Sequence, residues 1–148
     1  IANQTVEKFI QENPKLSFEI TSVSPVGVMG KSLSNREDST STSLQFLFKN
    51  KIAPNPFVQM LYDTNAKMAV VDVNDVAEAV FKASTTTGLH GKNYLLSSES
   101  YPVSDMSLML NHQAPKNNAN VVYQNTLAMN DLGMKFRPVQ ETLNNYSK

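Results

Sequence analysis

The stretch "VVDVNDVAEAVFKAS", residues 70–84, constrains the fold more than any other part of the chain. "KMAVVDV" is a mostly apolar run of strand length, and Val76, Ala77, Val80 and Phe81 follow at the spacing of one helix face. A strand that turns into a helix within two residues is half of a strand–helix unit, and chains built from such units form layered α/β folds. Two carboxylates, Asp72 and Asp75, sit at the junction. A carboxylate just before a helix accepts hydrogen bonds from its free N–H groups, and one in the first turn is favoured by the helix dipole, together contributing about 1–2 kcal/mol. Acid–base work by the pair would need a cleft and a displaced pKa, which sequence does not reveal. The expectation for both is a structural role.

The same strand–helix pattern extends in both directions. Ala2, Val6, Phe9 and Ile10 share a helical face that ends at Asn13-Pro14. Leu16, Phe18 and Ile20 alternate as in a strand, which enters a loop with Val23, Val26 and Val28, punctuated by Gly27 and Gly30. Residues 32–43 are polar and aperiodic, and predict a surface loop leading to a helical stretch with Leu44, Leu47 and Phe48. "APNPFVQMLYD", with two prolines, predicts a loop and a short or edge strand. "KNYLLSSES" predicts a strand, Val103, Met106, Met109 and Leu110 a helix capped near Ser104, and "NVVYQ" a last strand. A short helix from Leu127 to Leu132 stops at Gly133, and Pro138 opens a terminal helix bearing Val139, Leu143 and Tyr146. The sum is an α/β fold with at least some parallel pairing.

Composition removes several functions. At 148 residues the chain can bury a core as one domain. Thirteen Lys and Arg balance thirteen Asp and Glu, so there is no basic field for nucleic acid or an anionic membrane. Cysteine is absent, which removes disulfides and thiolate sites and suits a soluble, cytoplasmic protein. His90 and His112 have no partner at ligand spacing, so no metal site is expected and both read as surface residues. No serine lies in a G-x-S-x-G elbow, and the chain has no G-x-G-x-x-G. Gly30-Lys31-Ser32 ends like a phosphate loop, but the position of its first glycine holds Pro25. The methionines from Met106 to Met109 read as core. Taken by themselves, the residues describe a soluble α/β unit with no self-contained catalytic constellation.

"ITSVSPVGVMG", "VVDVNDVAEAVFKA", "GKNYLLSSES" and "DLGMKFRPVQETL", in this order, resemble the carboxyl-terminal half of extended short-chain dehydrogenases/reductases. The resemblance is to the dihydroflavonol-reductase and cinnamoyl-CoA-reductase-like branch of the NAD-dependent epimerase/dehydratase family. It spans residues 1 to 145, and departs from the family at Lys31, usually Pro, and Asn74, often Arg. It implies that residues 1–148 are the carboxyl-terminal part of one Rossmann-type unit, comprising its last Rossmann elements and the substrate-binding lobe. The Gly-rich dinucleotide loop and the Tyr-x-x-x-Lys pair of that family belong to an amino-terminal half absent from this sequence, with the Lys expected just upstream of Ile1. The implied activity is NAD(P)-dependent oxidoreduction of a carbonyl or alcohol, of the aldehyde/ketone-reductase, dihydroflavonol-reductase or nucleotide-sugar epimerase/dehydratase kind. Ser24, Pro25 and Val26 would border the nicotinamide of NADP or NAD, while loop 32–43 and "PNPFVQMLY" would shape the pocket of a small-molecule substrate. The chain alone would be inactive, and its protein partners would be the amino-terminal half or a second copy. The alternative is a non-catalytic, dinucleotide-sensing or protein-binding member of the same fold.

Overall fold

A computed structural model describes residues 2–32 and 39–146. Its organising element is β3, Lys67–Asp72, which runs directly into α4, Val73–Thr85. Successive strand residues point to opposite faces. Val70 therefore enters one core cluster and Val71 the other, and both are fully buried. The residues on the Val70 side come from α2 (Thr40–Asn50), α3 (Pro56–Asp63), α5 (Val103–Leu110) and α7 (Val139–Asn144). Those on the Val71 side come from α4, from α6 (Thr126–Asp131) and from β4 (Asn93–Leu96). Met106 and Met109 lie fully buried in the first cluster, as their spacing predicts.

Residues 22–29 divide their pairing at one point. β1, Ser22–Pro25, pairs in parallel with β4, whereas β2, Gly27–Met29, pairs in parallel with β3. The switch falls at Val26, whose N–H still donates to the Leu96 carbonyl at 3.0 Å. After β4 the chain crosses to β3, where the Ser98 N–H donates to the Val70 carbonyl (2.9 Å) and the Val70 N–H to that of Glu99 (3.0 Å). It then forms β5, Ser100–Pro102, antiparallel to β3. The single predicted strand "KNYLLSSES" is thus β4, a crossing and the first residue of β5.

Four further expectations are corrected. Leu16, Phe18 and Ile20 precede the strand, which begins at Ser22, and Phe18 is 58% exposed. The backbone there is tied to the 88–91 turn: Glu19 accepts from the N–H groups of Gly88 and Leu89, and His90 Nδ1 accepts from that of Ile20. "PNPFVQMLYD" is helix α3. Asn55 caps it by accepting from the Val58 N–H at 3.0 Å, and Pro56 takes the first position, where no N–H is needed. Among the described residues "NVVYQ" has no neighbouring edge beyond one bridge from Asn120 to Ser100, and Val121 and Val122 are exposed. The side chain of Ser104 does not cap α5; Asn65 Oδ1 supplies the acceptor for the Ser104 N–H. Of the predicted loop 32–43, residues 33–38 lie outside the described residues, and from Thr40 onward the chain is helical.

α1, Ala2–Glu12, buries no residue fully. Behind α5, Asp105 holds the irregular segment after the helix by accepting from the N–H groups of Lys116 and Asn117, both at 3.0 Å, and from Asn117 Nδ2 at 2.8 Å. Burial pushes the Asp105 carboxyl up, but these donors and the Lys116 charge outweigh it and hold the group below its ordinary value of 3.8.

Two outcomes are expected. A Cβ on Gly27 would stand 2.9 Å from the Ala69 carbonyl oxygen, so Gly27→Ala should cost about 1–3 kcal/mol in urea unfolding by prising β2 from β3. Because the folded Asp105 titrates below its unfolded value, its contribution is full above about pH 4 and lost as the pH falls through the folded value. The Lys116 and Asn117 amides should therefore begin to exchange faster with solvent in that acid range. In Asp105→Asn the acid dependence should disappear; an unchanged pH profile would count against the tie.

Candidate functional site

In parallel α/β sheets the side chains available to a ligand gather where the strands end, because the connections leave a crevice there. β1 pairs in parallel with β4 and β2 in parallel with β3, so β1 ends at Ser24–Val26 where β2 begins, while β2 and β3 end side by side further along, at Met29–Gly30 and Asp72. The resemblance points to Ser24, Pro25 and Val26. Pro25 is exposed at the end of β1 and carries no N–H. Ser24 is half-buried, with its hydroxyl donating to Asn93 Oδ1 at 3.0 Å. Val26 packs partly against the core cluster beneath β4. The three are contiguous, so the fold keeps them together, with one exposed apolar ring and one oriented hydroxyl.

The end of β2 is held from two directions. Gly30 adopts φ +126°, and a Cβ there would meet Val73 Cγ1 at 3.2 Å and Asp72 Oδ2 at 3.5 Å. Opposite, Gln45 of α2, buried to 1% exposure, accepts from the Gly30 N–H at 3.0 Å and donates from Nε2 to the Gly30 carbonyl at 3.2 Å. A lone glutamine among Leu44, Phe46, Leu47 and Phe48 carried no functional signal in the sequence.

Asp72 and Asp75 separate in role. Asp72 caps α4, accepting from the Asn74 N–H at 2.7 Å and from Asn74 Nδ2 at 2.9 Å. Asp75 is completely buried and reaches across the fold, accepting from the Arg137 N–H at 2.8 Å and from its guanidinium. Burial pushes its carboxyl above the ordinary value, while the Arg137 N–H and charge pull the other way without cancelling the shift. A raised carboxyl can mark an acid catalyst, but this one has no accessible surface for a substrate to meet. Two neighbours serve the same segment: Ser98 donates to the Arg137 carbonyl at 2.6 Å, and Glu99 accepts from the Val139 N–H at 2.8 Å.

A Tyr–Lys–Asp cluster also proves structural. Asp131 Oδ2 takes hydrogen bonds from Lys92 Nζ (2.6 Å) and the Tyr94 hydroxyl (3.0 Å). Tyr94 is fully buried, and burial together with Asp131 pushes its hydroxyl up to about 12. A tyrosine exchanging protons near neutral pH needs the opposite shift. Two of the open hollows among the described residues are roomier than the others. One of about 490 Å³ lies between β1 and the end of α4, touching Glu19, Val23 and Val80; the other, about 550 Å³, lies between α2 and the start of α3, touching Phe46, Pro54 and Tyr146. Neither is lined by Ser24, Pro25 or Val26. Among the described residues no helix is long and apolar enough to cross a membrane, and no group of three or more His, Asp or Glu could hold a metal ion.

No protein-family model matches the chain, and no curated protein does. Solved structures do. The yeast methylglyoxal/isovaleraldehyde reductase Gre2 in complex with NADPH superposes with a TM-score of 0.71 at 23% identity, over 97% of this chain and 50% of that one. Gre2 from Candida albicans with NADPH gives 0.73 at 17%, over 98% and 47%. RMD from Pseudomonas aeruginosa with NADPH gives 0.64 at 11%, over 97% and 51%. The fold is therefore the α/β arrangement found in about half of each of these NADPH-complexed proteins, and the chain spans about half their length.

The two aspartates should differ in what they hold. Asp72→Ala should lose about 1 kcal/mol, the value of a helix cap. Asp75→Ala should lose about 2–4 kcal/mol, because it strands the Arg137 N–H and charge beside a cavity. Urea unfolding of the two variants measures the difference, and equal losses would reduce Asp75 to a first-turn carboxylate.

Proposed function

We propose that residues 1–148 are the carboxyl-terminal part of an NAD(P)-dependent oxidoreductase of the extended short-chain type, acting on a small carbonyl or alcohol. The observation that carries this reading is the superposition of 97–98% of the chain on about half of NADPH-complexed reductases, with parallel strands ending at an exposed proline. NAD(P) supplies or receives the hydride. Pro25, exposed and without an N–H, suits the flat apolar face of a nicotinamide ring. The Val26 amide is committed to Leu96 and the Ser24 hydroxyl to Asn93, so neither competes for the ring's place. The proton-transferring Tyr and its Lys would come from the amino-terminal part. The present residues would bind, orient and exclude water.

The β1 edge supports such a partner. Among the described residues β1 pairs only with β4. The Ser22 and Val26 amides point to β4, so by the two-residue period the Val23 amide points outward. An edge of this kind takes up a further strand, from the amino-terminal part or from a second copy.

The test uses the full-length natural protein containing these residues, with NADPH and the aldehydes for which the yeast reductase is named, methylglyoxal and isovaleraldehyde. NADPH-dependent reduction is expected. Pro25→Asp changes an exposed residue, so the protein should fold normally while its NADPH dissociation constant rises about tenfold or more, since the charge is desolvated only when the ring covers it. NADPH binding without turnover of any carbonyl would favour the dinucleotide-sensing alternative, and no NADPH binding would remove the reading altogether.

A further inference from the structure

Three exposed features of this chain meet at the outer edge of β1. The first is α1. A helix that connects two parallel strands buries its apolar face against the sheet they form. α1 lies against the amino ends of β1 and β4, where Val6 and Ile10 meet Ile20, Ser22 and Asn93 along a narrow crevice. Even so, Val6 and Ile10 are only half-buried, and Phe9 on the same face is 44% exposed. An isolated helix of eleven residues is marginal in water, so a face this bare needs a further surface. The second feature is the backbone of β1, whose Val23 N–H points away from β4 to a side where, among the described residues, no strand lies. The third is the hollow of about 490 Å³ between β1 and the end of α4. Val23, Val80 and Ala83 give it an apolar lining, and Ser84 to Thr87 add a row of hydroxyls. No residue of β4 lines it, which places it at the free edge rather than over the β1–β4 pair. Ser22 lines the α1 crevice and Val23 the hollow, so the two lie on opposite faces of β1.

We propose that the free edge of β1 is the seam at which the amino-terminal part of the same chain joins: the strand that feeds α1 pairs in parallel with Ser22–Pro25, α1 covers it on one face, and an amphipathic helix of that part fills the hollow on the other. This rests on the reading of residues 1–148 as the carboxyl-terminal part of a longer chain. Strands joined by a single helix are commonly neighbours in a sheet. β4 occupies one side of β1, so only the outer side is open to the strand before α1. Parallel sheets are covered on both faces, and the same strand therefore calls for a helix at the hollow as well. The occupant has the size for the task. This chain spans 50% and 47% of the two Gre2 chains on which it superposes, so about as much protein again remains in each to cover such surfaces.

The experiment uses the full-length natural protein. Amide exchange should show the Val23 N–H protected about a hundredfold or more over an unstructured amide, and equally so when the protein is diluted about a hundredfold. Val80→Glu should lower Tm by about 5 °C or more, because the charge is buried under the incoming helix. Val121→Glu makes the same change at a valine that is 60% exposed beside the Asn120–Ser100 bridge, and should shift Tm by about 1 °C at most. Fast exchange at Val23, or a Val80→Glu Tm no lower than that of Val121→Glu, overturns the proposal. Protection at Val23 that is lost on dilution gives the edge to a second copy and overturns it too. A natural protein with no substantial part before Ile1 removes the proposal and the reading beneath it together, and its mass shows this before any variant is made. A longer protein that binds no NADPH removes the oxidoreductase reading alone, and the Val23 and Val80 measurements still decide the seam.

Discussion

Two adjacent valines on one strand set the plan of this molecule. Because successive residues of β3 face opposite ways, Val70 and Val71 commit the strand to burial on both sides. A strand with no wet face must be covered twice. One cover is the α2–α3–α5–α7 group and the other is α4 and α6 with β4. β2 on one edge and β5 on the other complete its backbone pairing. The direct passage from β3 into α4 folds the chain back over the Val71 side, and the Asp72 cap makes that turn possible without a loop.

Apolar burial does not reach the irregular parts of the chain, and polar groups hold them instead. Asp75, Ser98 and Glu99 converge on residues 137–139, which deliver α7 to the core. Asp105 gathers the backbone at Lys116 and Asn117, and Glu19 fastens the stretch before β1 to the 88–89 turn. In each case a carboxylate accepts from backbone N–H groups that no helix or sheet serves. Such bonds are stronger than neutral ones, and the unpaired alternative is costly in a buried site. The pairs join residues from about 11 to 70 positions apart, so each tie closes a loop that secondary structure alone leaves open.

The same logic shapes the end of the sheet. Where β2 runs out of strand partner, Gln45 supplies the missing donor and acceptor, and Gly30 supplies the close approach. Where β1 runs out, Pro25 has no N–H to satisfy. Two strand ends are therefore finished by different devices, one borrowed from a helix and one built into the residue. The first lies beside the start of α4 and the second where β1 gives way to β2.

Periodicity, caps and breakers determined much of this in the sequence alone: α1, the passage from β3 to α4, the buried methionines of α5, and the stop at Gly133. These signals are local, since a helix face or a cap is decided within four residues. The α/β class and the likeness to half of a reductase were legible for the same reason, as ordered local patterns. Tertiary structure alone decided the rest. "PNPFVQMLYD" is a helix because Asn55 and Pro56 start one and the core takes Val58 and Leu61, although its prolines argue for an edge. "NVVYQ" has strand composition, and among the described residues it joins a strand only by the single bridge from Asn120 to Ser100. Asp75 looks like a second capping residue and is a long-range anchor, because its partner stands 62 positions away. Gln45 has no pattern at all. A hydrogen bond between distant residues leaves no period in the chain, so the groups that fix the candidate site became visible only when folding brought them together.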